Sequence, residues 1–234
     1  MIRLACAVLL IGLATVACSR TDEGTAVRAG DMPTPLSSKS ATATPATSAA
    51  TPTTDIPDSS QPGIVETTKR PVAPNSVVCA APSSAQTAVA TIVDPSAPTI
   101  TVALPSGWTT QPGTGDVAAR LVGPNGMIGD VRIAPASPDA AASFTRYADD
   151  VMAKYPISSL SALPAELCGY SGQKLMGNWA DNPDRSIQYN DRIVHVWTND
   201  QNYLVSVHVE ALSGTPGFND AASVLTGDFG VSVP

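Results

Sequence analysis

IQYNDRIVHVW (187–197), the polar break TNDQ (198–201) and YLVSVHVEA (203–211) decide the fold. In the second run Tyr203, Val205, Val207 and Val209 alternate with Leu204, Ser206, His208 and Glu210. A period of two with one apolar face is the pattern of a half-buried strand. The short polar connection joins the two runs as hairpin neighbours. A third run, from Ser171 to Ala180, reads as another strand immediately before them.

Working toward the N-terminus, Ser137-Pro138 reads as a helix N-cap followed by proline at the first helical position. Phe144, Tyr147, Val151, Met152 and Tyr155 then recur at helical spacing, and Pro156 marks the exit. Earlier still, Ala118–Val122 and Ile128–Ala134 flank GPNG (123–126). Asn-Gly suits a tight hairpin because both residues tolerate positive φ. Ile100, Val102 and Leu104 alternate with Thr99, Thr101 and Ala103 as a further strand, and a turn at Pro105-Ser106-Gly107 delivers Trp108. Toward the C-terminus, Thr215-Pro216 opens a second helix ending near Gly227, and Phe229, Val231 and Val233 form a closing strand. Hairpin-linked strands around two helices predict an α+β domain, an antiparallel β-sheet flanked by helices. Its expected limits are 77–234.

The preceding residues divide in two. Arg3 and the apolar stretch Leu4–Val16 have the form and length of a signal peptide (1–17), too short to cross a bilayer. LATVAC (13–18) places small residues before a cysteine, as lipoprotein signal peptidase requires, which makes Cys18 the expected lipidation site. Secretion without lipidation is the alternative reading. Residues 18–76 form the expected tether. From Ala29 to Asn75, Pro, Thr, Ser and Ala dominate, and such a segment buries too little apolar surface to offset its ordering entropy. A flexible coil of this length reaches roughly 40 Å.

The formal net charge of −7 lies wholly on residues 77–234, where seven basic residues face fourteen acidic ones. That balance disfavours nucleic acid as a partner. Of the four cysteines, Cys6 and Cys18 belong to the leader, leaving Cys79 and Cys168. In an exported protein such a residual pair is expected to form a disulfide. A redox role would call for a Cys-x-x-Cys pair, which the sequence lacks.

TITVALPSGW (99–108), the amphipathic helix, YNDRIV (189–194), YLVSV (203–207) and the closing GDF (227–229), in this order, resemble the mycobacterial LpqN/LpqT lipoprotein family. The resemblance covers about residues 97–234. It implies a PsbP-like α/β/α sandwich, a lipoprotein of the cell envelope with no catalytic residues to carry over, and a fold used elsewhere for docking to protein partners. Cys79 and Cys168 lie outside that pattern.

Residue chemistry offers few candidates. His195 and His208 fall on neighbouring strands and could approach each other, Asp191 or Glu210, yet a metal site needs three or four converging ligands. GYSG (169–172) is not a Gly-x-Ser-x-Gly elbow. The glycines at 113 and 115 mimic a dinucleotide fingerprint but run into a strand instead of opening a helix. Asp149 and Asp150 point about 100° apart on a helix, a poor arrangement for shared acid–base work. Trp108, Trp179, Trp197 and Tyr189 fit a core better than a ligand groove. No catalytic, metal or cofactor residues are expected. The leading expectation is a non-catalytic binding or interaction domain held off the membrane by its tether. The alternatives are a carrier of a lipid or other apolar ligand, and an enzyme with an unfamiliar site near His195 and His208. Replacing Cys18 by alanine is expected to shift the protein from the membrane fraction to the medium, as read by fractionation and immunoblotting.

Overall fold

The strands anticipated at 187–197 and 203–211 pair over eleven positions, from Asn202 opposite Trp197 to Leu212 opposite Ile187. The computed structural model describes residues 61–182 and 185–234. Contacts divide the chain into units 1–53 and 54–234, and every described residue belongs to the second. The expected signal peptide, the expected lipidation site Cys18 and the expected tether up to residue 60 lie outside the described residues.

In chain order the elements are β1 (Ser76–Cys79), β2 (Thr87–Ala90), β3 (Thr99–Ala103), β4 (Thr109–Pro112), β5 (Val117–Val122), β6 (Ile128–Pro135) and α1 (Ala140–Ala153). There follow β7 (Ile157–Pro164), β8 (Gly172–Asn182), β9 (Arg185–Trp197), β10 (Asn202–Leu212), α2 (Phe218–Leu225) and β11 (Gly230–Val233). A seven-stranded antiparallel sheet runs β4-β5-β6-β10-β9-β8-β7, and a four-stranded one runs β1-β11-β3-β2. The fold is α+β, as expected, but it holds a second sheet. That sheet went unseen because β1 and β2 have four residues each, too few for a period-two pattern to stand out.

The alternation in β10 separates two environments. Tyr203, Val205, Val207 and Val209 join Ile100, Val102, Phe218, Ala222 and Phe229 in one core, which the small sheet and α2 cover. On the opposite face α1 lowers Phe144 onto Leu175 and Ile193, with Leu160 and Leu204 at the margin. Met152 stays 39% exposed, and Tyr155 lies beyond the helix end, so the apolar stripe of α1 is narrower than its sequence suggests.

Local chemistry explains several boundaries. The Asn125-Gly126 turn forms with φ of 57° and 76°, and Met127 N donates to Pro124 O to close it. The helix N-cap is Asp139 instead of Ser137. Its carboxylate accepts from the amides of Ala141 and Ala142, while Ser137 Oγ accepts from Asp139 N. The second helix begins at Phe218, later than expected, because Gly217 adopts φ 79° and cannot extend it backward.

The folded region also starts before Val77. Pro62 O accepts from Gln173 Nε2 and Gly63 O from Gly172 N. Ser171 Oγ bonds both the amide and the carbonyl of Val65, and the Asn199 side chain does the same for Val72. Ile64 packs beside Phe144. Residues 62–72 therefore strap across the domain, through backbone contacts that a reading of apolar content does not register. Gly63 is required here: its φ is 74°, and a Cβ would sit 1.9 Å from the carbonyl oxygen of Gly172.

Cys79 and Cys168 are bonded, with Cα atoms 5.7 Å apart and a sequence separation of 89. Closing a loop of that length contributes roughly 4 kcal/mol in the chain-entropy account. The double variant Cys79→Ala/Cys168→Ala is expected to lose stability of about that size or less, measured as a lower urea midpoint with an unchanged native spectrum.

Candidate functional site

Between α1 and the strands β6 and β10 lies a groove of about 750 Å³. Tyr147, Arg146 and Asp150 of α1 form one wall, Asp130 and Arg132 of β6 the other, and Ser206, His208 and Trp179 the floor. Period-two alternation places this floor. Ser206, His208 and Glu210 point away from the valine core, and the ladders set Asp191 of β9 opposite His208 on one side and Asp130 of β6 on the other.

His208 is held at both ring nitrogens. Nδ1 meets Asp191 Oδ1, and Nε2 lies 3.1 Å from Glu210 Oε2. Lys154 at the end of α1 reaches Glu210 Oε2 at 3.5 Å and stands 4.0 Å above the Trp179 ring. Trp179 stacks on Tyr189 at 4.3 Å and lies 5.6 Å from the imidazole. Burial works against charge on His208, but the carboxylates of Asp191 and Glu210 outweigh it and raise its pKa to about 10. Burial likewise works to raise the Glu210 carboxyl, which His208 and Lys154 nevertheless hold below its ordinary value. Tyr147 is pushed well above the ordinary tyrosine value by burial and then by the charge of Asp191.

The raised pKa keeps the His208 imidazole protonated near neutrality, with a carboxylate at each ring nitrogen. A general base needs one ring nitrogen facing the hydroxyl it activates, whereas here the second nitrogen faces a carboxylate. The imidazolium is a fixed cation between Asp191 and Glu210. Trp179 Nε1 is a buried donor with no acceptor among the described residues, and its residue lines the groove.

The other sequence candidates separate. His195 pairs across the ladder with Leu204, four positions from Asp191 and roughly 13 Å away along the strand. Its Nε2 contacts Ser137 O at 2.7 Å, and burial lowers its pKa. The two histidines therefore do not meet, whereas the expected approach of His208 to Asp191 and Glu210 is found. Ser171 clamps Val65. The glycines at 113 and 115 lie in the loop entering β5. Asp150 lines the groove, while neighbouring Asp149 does not. Trp108, Trp179 and Tyr189 are buried, with Trp179 serving both core and groove. Among the described residues no three His, Cys, Asp or Glu side chains are placed to hold a metal, and no helix is long and apolar enough to cross a membrane. Tyr147, Lys154, Asp130, Arg132 and Ser206 were not foreseen.

The class so defined is an antiparallel α+β domain with a charged groove under its first helix. Among solved structures, the chain is similar to that of LpqN from Mycobacterium tuberculosis, described as involved in cell envelope biogenesis. The match covers 63% of this chain and 91% of that one, with a TM-score of 0.49 and 19% identity. No family model and no curated protein matches the chain.

The raised pKa of His208 gives a pH dependence of defined sign. The folded value lies above the unfolded one, so its stabilisation is complete below pH 6.5 and disappears as pH rises through about 10. Denaturant midpoints of the wild type are expected to fall across that window. His208→Gln should flatten the fall and cost about 3–5 kcal/mol at pH 7, because Asp191 is left buried without its partner.

Proposed function

We propose that this chain is an exported, lipid-anchored envelope protein whose globular domain is a non-catalytic binding module, with the groove beneath α1 as its site. The address rests on the lipobox ending at Cys18 and the tether that follows it. The binding role rests on one observation: the groove has a prearranged floor in which His208 already carries a carboxylate at each ring nitrogen. Such a floor presents fixed charge and shape, and leaves no poised base.

The occupant that suits this site is a protein segment offering both donors and acceptors. Asp130 and Asp150 stand with Arg132 and Arg146 around the opening, so both signs of charge are available. Desolvating these groups against an acyl chain would be costly. The carrier reading therefore has weaker support, and the face of the sheet away from α1 is already filled by Val205, Val207 and Phe229.

Photo-reactive residues in intact cells test this reading. One replaces Ala142, on the groove wall, and a control replaces Ser223, exposed on α2. The expected result is a protein adduct at position 142 that disappears when Ala134→Trp narrows the groove, with none at position 223. A lipid adduct would favour the carrier, and no adduct at position 142 would remove the groove from consideration.

A further inference from the structure

Among the described residues, strand β7 is the outer strand of the large sheet, next to β8 alone. Its eight residues contain no charge, and its backbone accepts one side-chain bond, from Tyr189 Oη to Ser159 O at 2.9 Å. Sheet edges are ordinarily protected from pairing by brevity, by lysine, by proline or by a bulge. The other edge strands show such devices. β1, β2 and β4 have four residues each, and β1 carries a register shift. Between Pro156 and Pro164, β7 has none.

The sequence of that interval is symmetric in chemistry. PISSLSALP (156–164) reads alike in both directions about Leu160. Reversed upon itself, it sets Ile157 against Leu163, Ser158 against Ala162, Ser159 against Ser161 and Leu160 against Leu160. The two prolines, which donate no hydrogen bond, fall together at both ends and limit the paired window to seven residues. Residues directly opposed across an antiparallel pair share a face. The register about Leu160 satisfies that rule, because each residue meets one of its own parity.

We propose that β7 is a self-pairing edge, through which two copies of this chain join antiparallel about a two-fold axis at Leu160. The large sheet then continues across the junction as fourteen strands. Ile157 and Leu163, each 49% exposed, cover one another at both ends. Leu160 and Ala162 remain packed beside Phe144 on the α1 side. The interface is isologous and closes as a dimer. Being one strand wide, it belongs to the small, concentration-dependent class.

Charge substitution at the two ends tests the contact and its register together. In Ile157→Lys/Leu163→Lys, each lysine faces a lysine of the other copy. In Ile157→Lys/Leu163→Glu, each faces an opposite charge. Sedimentation equilibrium of the full chain in mild detergent, over a graded concentration series, is expected to show a monomer–dimer equilibrium for the wild type. Two like-charge pairs should weaken it roughly tenfold, and the mixed pair should restore it. Far-ultraviolet circular dichroism checks that these exposed positions leave the fold intact. A wild type that stays monomeric throughout would overturn the proposal, as would equal association of all three proteins. A mixed pair that fails to restore association would overturn the register about Leu160.

Discussion

The ladder between β9 and β10 is the constraint from which core and groove both follow. Eleven residue pairs fix which side chains face which layer. With Val205, Val207 and Val209 directed at the small sheet and α2, Ser206, His208 and Glu210 must face α1. A slip of one residue would drive three polar side chains into the apolar core and expose the valines. Folding and the geometry of the groove are in that sense one requirement. The turn at Thr198–Gln201 sets the register, where Thr198 N donates to Gln201 O and the Thr198 hydroxyl ties the turn to Ser96 O.

Within this frame two adjacent charged residues are buried in the middle of the large sheet. Asp191 is fully buried, and so nearly is Arg192, its neighbour on the other face of the sheet. Arg192 donates to Ala165 O, Glu166 O and Asp228 Oδ1, fastening the segment before β8 and the turn before β11 to the central strands. The buried pair of Asp191 with His208 returns little net stability over an apolar replacement, yet is costly to break. Adjacent residues thus secure opposite layers, Asp191 the groove floor and Arg192 the loop carrying Cys168.

The long elements were legible because their patterns are long. β8, β9, β10 and α1 each carry enough residues for periodicity to emerge, and the closing strand follows from Phe229, Val231 and Val233. The four-residue β1, β2 and β4 escaped, and so did β7, whose serines blur the pattern of Ile157, Leu160 and Leu163. Half of the groove floor was accessible to arithmetic: with Gln201 and Thr198 at the turn, His208 must stand opposite Asp191. The remainder was not. Tyr147 and Lys154 enter the groove from α1, and Asp130 and Arg132 come from a strand whose place beside β10 depends on a crossover that no local pattern encodes. The strap at 62–72 was hidden for a different reason, since its contacts are made by backbone atoms to Gln173, Ser171 and Asn199.

The covalent link from Cys79 to Cys168 has a mechanical meaning. A load applied from the N-terminal side meets first the strap, held by a handful of hydrogen bonds, and then β1. At Cys79 the pull passes through a bond between sulfur atoms into the segment just ahead of β8, toward the middle of the chain. Stripping from that end therefore extends the residues before position 79 first, and residues 80–167, enclosed by the bond, are spared the direct load.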